Sequence, residues 1–185
     1  MSASPIPAEW YKLGPFTVFD LETTGMAATR DSVVEIAAIR VGTDNARSRF
    51  QTLVNPGHPI HPKLTAIHGI DDAMVADAPD FADAGERFLA FAAGSTLVAH
   101  NARFDLAFLQ ESLNRHGLEL WGGKTINSIT LVKQAYPGLP SYSLQNLRRS
   151  FALDDEAGPA HRAYADVEWT LEILAMSLRR LLNLR

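Results

Sequence analysis

The chain of 185 residues contains no cysteine. Disulfides, thiolate zinc sites and cysteine nucleophiles are thereby excluded, and any metal must be held by oxygen or imidazole. No stretch approaches the ~18 uninterrupted apolar residues that a membrane helix requires. The N-terminal Met-Ser-Ala-Ser-Pro-Ile-Pro-Ala-Glu-Trp lacks the basic segment and apolar run of an export signal. These absences lead to the expectation of a cytoplasmic protein without a membrane partner. Positive charge is also scarce, with 17 Lys and Arg against 21 Asp and Glu and a net charge of −4, the wrong sign for gripping long duplexes through their phosphates. A protein holding a short strand end needs few such contacts, and acids in a metal site are offset locally by the ions they bind. Hydrophobic residues make up 46% and charged residues 21%, which argues against a disordered or coiled-coil chain and suits one folded domain.

Residues 1–14 carry two prolines and no periodicity and read as an arm that packs through Trp10 and Tyr11, ahead of a single domain spanning 15–185. Three runs rich in β-branched and aromatic residues, Phe16–Leu21, Val33–Val41 and Arg49–Val54, are separated by turn signals and predict an antiparallel meander. Helical spacing over Phe81–Ala93, a buried-strand run at Thr96–Ala99 and a helix over Phe104–Arg115 follow. That last helix is apolar on two sides, through Phe104, Ala107 and Phe108 and through Leu106, Leu109 and Leu113, and is expected to be sandwiched. Thr125–Ser128 reads as a further strand, with short helices at Ile129–Tyr136 and Leu144–Phe151. Val167, Leu171, Leu174, Leu178 and Leu181 form the stripe of a long final helix. The fold class expected is α/β, a mixed five-stranded sheet with helices on its faces.

Three constellations carry chemistry. In Phe16-Thr-Val-Phe-Asp20-Leu-Glu22-Thr-Thr-Gly25, an apolar strand delivers two carboxylates at i and i+2, hence on one face, just before a glycine turn. In His100-Asn-Ala-Arg-Phe104-Asp105, a strand runs into a helix with an acid in its first turn, where the helix dipole favours it. In His161-Arg-Ala-Tyr-Ala-Asp166, a spacing of five separates the two side chains by roughly 140° on a regular helix, so they share a site only if His161 precedes the helix. Each constellation alone has a bland reading as a solvated strand end, a helix cap or a loop histidine. Together they provide four carboxylates at the margins of apolar elements, which cannot all stay ionised without cations. Such a cage suits in-line phosphoryl transfer with two metals about 3.5 to 4 Å apart, and a histidine to take the proton of water.

These residues resemble the three motifs of the DEDDh 3′-5′ exonucleases, the group of the proofreading ε subunit of bacterial DNA polymerase III. The His-x4-Asp spacing distinguishes them from the sister group, whose Tyr-x3-Asp would place tyrosine where Arg162 stands. Thr65-Ala-Ile-His68-Gly-Ile70 is similar to the family's His-Gly-Ile element, and the resemblance covers roughly residues 15 to 182. It implies a ribonuclease H-like fold with helices on both faces. It implies Asp20, Glu22, Asp105 and Asp166 as ligands of two Mg²⁺ or Mn²⁺, and His161 as general base. Thr23, His68 and Phe104 would line the pocket for the terminal nucleotide, although Phe104 also lies on an apolar helix face. A zinc site from His58, His61 and His68 is disfavoured by the intervening prolines and the want of a fourth ligand. Ile126-Asn127-Ser128, where relatives often carry Asp-Thr, departs from the pattern at a position that is not a metal ligand, so it bears on specificity or packing. The implied reaction is release of 5′-mononucleotides from the 3′ end of single-stranded DNA, in a replication and proofreading setting with a DNA polymerase as partner. An RNA-trimming enzyme, RNase T-like or oligoribonuclease-like, is the alternative within the fold. The Thr-Thr-Gly after Glu22 favours the proofreading type. A non-catalytic binding module is the alternative of another class, and five filled catalytic positions argue against it.

Overall fold

The computed structural model describes residues 9–153 and 162–182. Five strands, β1 (Phe16–Thr23), β2 (Val33–Val41), β3 (Arg47–Leu53), β4 (Thr96–Ala99) and β5 (Thr125–Asn127), form one sheet in the order β3-β2-β1-β4-β5. β1 to β3 are the antiparallel meander, whereas β4 and β5 add in parallel beyond β1. The parallel strands need crossover connections, and helices supply them. α1 (Pro62–His68), α2 (Asp72–Val75) and α3 (Phe81–Ala92) lie between β3 and β4 and α4 (Ala102–Arg115) between β4 and β5, while α5 (Ser128–Ala135), α6 (Leu144–Phe151) and α7 (Ala163–Leu181) follow β5.

Alternation along the strands sorts the core into two layers. Phe19 and Leu21 of β1, Ile36 and Ala38 of β2 and Leu97 and Ala99 of β4 face α3 and α4. Phe16 and Val18, Ala37, Ile39 and Val41, and Val98 face the other way, onto Val167, Leu171, Leu174 and Leu178 of α7. By the same period of two, Asp20 and Glu22 fall on the α7 side. Trp10, in a short 3-10 helix (Trp10–Leu13), is buried against that layer and stacks on Phe16 with ring centroids 5.8 Å apart.

The sandwiched helix is α7 and not α4. On α4, Arg103, Ala107 and Asn114 line a solvent-exposed stripe, so both of its apolar sides merge into one broad buried face. On α7 a second face, Ala165, Trp169 and Ile173, packs on Val132 of α5 and on Leu144 and Leu147 of α6, while Leu181 at the end of the predicted stripe is 39% exposed. α1 and α2 have no counterpart in the sequence reading. Pro62 occupies the first position of α1, where its missing N–H costs nothing, and His61 caps it by accepting from the Lys63 amide. Gly69 ends α1 at φ 74°, a conformation that favours glycine. Among the described residues no helix is long and apolar enough to cross a membrane.

Candidate active site

β1 outruns β4. Pairing between them stops at Val18 with Val98, while β2 continues to pair β1 as far as Thr23, with a register shift after Glu22. The last five residues of β1 therefore have no pairing partner on their β4 side, because the chain turns after Ala99 through Asn101, in the left-handed region at φ 66°, into α4. A backbone donor left open in this way needs a partner. The amide of Leu21 finds it in Asp105 Oδ1, 3.3 Å away, in the first turn of α4. The chain path that exposes Asp20 and Glu22 thus also brings in the third acid.

Asp166 arrives from the first turn of α7. Asp20, Glu22 and Asp166 each offer one carboxylate oxygen, and these atoms lie within 4.8 Å of one another. The N-terminal turns of two helices supply Asp105 and Asp166, and their dipoles offset part of the repulsion among the acids. The offset is incomplete. Burial, then Asp105, Asp166, Glu22 and Glu35, push the Asp20 carboxyl well above the usual carboxylate range. Burial followed by Asp166, Glu35 and Asp105 raises Glu22 to about 8, against an opposing pull from Arg162. Asp105 is pushed up to about 7, chiefly by burial, although its own amide and that of Leu21 pull it down. A set of hard carboxylate oxygens that resist ionisation together fits a divalent cation such as Mg²⁺ or Mn²⁺.

The other expected site residues are placed unequally. His161 lies outside the described residues. α7 begins at Ala163, with Arg162 extended at its N-cap. His68 ends α1, buried, and its Nδ1 accepts from the Ile70 amide at 3.1 Å. The proton therefore sits on Nε2, which is buried without a hydrogen-bond partner among the described residues, and burial lowers the pKa of the ring. Thr23 is buried and its hydroxyl donates to Gly25 O at 2.6 Å, tightening the turn after β1. Gly25 is needed there, since a Cβ would fall on the Asp31 carboxylate, which accepts from the Ala27 amide. Phe104 is partly buried, packed on the core and on Phe108 with ring centroids 4.8 Å apart. Asn127 and Ser128, the departure from the family pattern, serve packing: Asn127 caps α5, and Ser128 donates to His100 Nδ1 while His100 Nε2 donates to Tyr142 O.

Glu35 belongs to none of the three motifs. It stands opposite Glu22 in the β1–β2 register and is buried beside the site. The available signal was a charge inside the apolar run Val33-Val-Glu-Ile-Ala-Ala-Ile.

Residues 17–174 match the exonuclease family. The chain belongs to it. The chain is similar to the DNA polymerase III subunit epsilon-like protein of Rhodobacter capsulatus, at 41% identity over 85% of this chain and 23% of that protein. It is also similar to the DNA polymerase III subunit epsilon of Treponema pallidum, at 36% identity over 85% and 74%. The solved exonuclease X in complex with 5′ overhanging duplex DNA superimposes with a TM-score of 0.67 at 30% identity, covering 92% of this chain and 94% of that one. The chain spans 12% of the length of the PolC-type DNA polymerase III of Caldanaerobacter subterraneus and 11% of that of Bacillus cereus.

The strained carboxylates make stability depend on pH in a definite direction. Glu22 has a folded pKa of about 8 against 4.5 for the free group, and Asp105 about 7 against 3.8, so the folded state holds protons that the unfolded chain releases. Their contribution is therefore present at low pH and is lost as pH rises to about 8. His68 and His100, whose pKa values burial lowers, act in the opposite sense below 6.5. The window from about 6.5 to 8 belongs to the carboxylates. Thermal melts in EDTA should fall across it, and saturating Mg²⁺ should flatten the fall. A melting temperature in EDTA that rises across the window would contradict the crowding of acids.

Proposed function

We propose that this exonuclease domain shortens single-stranded DNA from its 3′ end, releasing 5′-mononucleotides, with two Mg²⁺ or Mn²⁺ at Asp20, Glu22, Asp105 and Asp166. The observation that carries the reading is the convergence of Asp20, Glu22 and Asp166 in a partly buried cluster on an exonuclease-family chain. Bound divalent ions supply the positive charge that offsets the charge developing on the phosphate. Asp20 and Glu22, fixed on the central strand, and Asp105 and Asp166, fixed on two helix starts, hold rigid positions for that charge. His161 accepts the proton of the attacking water. His68, held neutral with its Nε2–H available, donates to the terminal nucleotide, Thr23 shapes the turn beside it, and Phe104 offers its partly exposed ring.

DNA as substrate and a polymerase as partner are supported by the DNA polymerase III relatives and by Thr-Thr-Gly after Glu22. Proofreading is the setting that follows. DNA and RNA oligonucleotides labelled at either end, incubated with Mg²⁺ or EDTA and sized over time, test the proposal. Expected are stepwise shortening of 5′-labelled DNA, immediate release of a labelled mononucleotide from 3′-labelled DNA, and no reaction in EDTA. Immediate mononucleotide release from the 5′ label, or faster turnover of RNA, would overturn it.

A further inference from the structure

Glu35 is 1% exposed, a charge in the middle of a strand covered on both faces. Burying a carboxylate is costly unless several donors serve it. Three do. Gln51 Nε2 of β3 donates to Oε1 at 2.8 Å, Arg162 Nη2 donates to the same oxygen at 3.3 Å, and the Ala163 amide donates to Oε2 at 3.4 Å. Two of these donors are consecutive residues at the start of α7, 127 and 128 positions along the chain. α7 makes no side-chain cap of its own at Arg162, so one of the amides orphaned at its N-terminus is satisfied from β2, across the fold.

We propose that Glu35 is a positioning residue of the exonuclease site. Its carboxylate fixes the start of α7, and with it the placement of Asp166 against Asp20 and Glu22. The same contact holds the Arg162 guanidinium. Arginine pairs readily with carboxylates, and a guanidinium released beside Asp20, Glu22 and Asp166 would compete with divalent cations for them. Glu35 therefore does two things through one contact: it seats the helix and keeps a cation of the protein's own off the metal-binding acids. The inference rests on the functional reading above for the identity of the reaction, and on the geometry alone for the positioning.

The test compares wild type, Glu35→Gln, Arg162→Gln and the double variant, with Leu178→Ala as a remote core variant that lowers the melting temperature without touching the site. Glu35→Gln should lower kcat on a single-stranded DNA oligonucleotide by about tenfold or more, the scale on which small misplacements act, with KM changed by less than about twofold. It should also raise the Mg²⁺ concentration for half-maximal rate and shrink the Mg²⁺-induced rise in melting temperature. Removing Arg162 as well should bring that Mg²⁺ requirement back toward wild type, and the two losses in kcat should not multiply, because both residues act through one contact. An unchanged kcat and Mg²⁺ requirement in Glu35→Gln, a loss matched by Leu178→Ala at equal melting temperature, or multiplied losses in the double variant would overturn the inference. Should Glu35→Gln fail to fold, Arg162→Gln, whose side chain is 35% exposed, reports on the same contact through its kcat. A wild-type protein inactive on the oligonucleotide would refute the functional reading, and the Mg²⁺-dependent melting shift would then test the positioning independently.

Discussion

Asp20→Asn, Glu22→Gln, Asp105→Asn and Asp166→Asn should each reduce exonuclease activity by about 10²-fold or more, the scale on which loss of one preorganised electrostatic group acts, while the metal-free protein melts at the same temperature or higher. The two effects have one cause. Asp20 is driven up by burial and by Asp105, Asp166 and Glu22 together, so removing any one negative charge relieves the others in the metal-free state. The same removal takes away a ligand or a neighbouring charge that a divalent cation needs. The amides are nearly isosteric with the acids, so packing is kept. Melting curves with and without Mg²⁺ decide the matter, since a metal stabilises only through preferential binding to the native state. If Mg²⁺ raises the melting temperature of the wild type and all four variants equally, these side chains do not form the metal site.

His161→Ala should lower the single-turnover rate by about 10² to 10⁴, the usual contribution of a general base, and leave Mg²⁺-induced stabilisation intact. Proton transfer and coordination are separable here because Asp20, Glu22 and Asp166 already offer three carboxylate oxygens within 4.8 Å of one another. Neutral imidazole is the active form, so the wild-type rate at saturating Mn²⁺ should rise with pH as the imidazole loses its proton. The variant should lose that rising limb. A variant that keeps near-normal rates and the same limb would show that the proton goes elsewhere.

What could be read from the sequence follows from how locally each feature is encoded. Val33–Val41, Thr96–Ala99 and Leu144–Phe151 have the predicted bounds because an apolar run or a helical stripe specifies its own element. The acids of the three motifs could be assigned through their spacing. α1 and α2 could not, since seven and four residues are too few to show a period, and Pro62 reads as a breaker until it is seen to begin a helix. The second buried face of α7 escaped for a different reason. Ala165, Trp169 and Ile173 acquire their meaning from α5 and α6, which no pattern within α7 announces.

The two charges of β2 divide in the same way. Both look like blemishes in the run Val33-Val-Glu-Ile-Ala-Ala-Ile-Arg-Val41, and both answer to helix ends far along the chain. Arg40 donates to the carbonyls of Phe91 and Ala93 at the C-terminus of α3, while Glu35 accepts at the N-terminus of α7. Each charge has the sign that complements the dipole it meets.

By itself the sequence determined that Asp20, Glu22, Asp105 and Asp166 stand at the margins of apolar elements, because residue type and local order are enough to place them there. Only the tertiary structure decided how those carboxylates meet. β4 stops short of β1, leaving the Leu21 amide for Asp105, and the start of α7 is seated on a carboxylate of β2. Distances of that kind are set where strands pair and helices dock, between residues more than 80 positions apart, and local propensity carries no record of them.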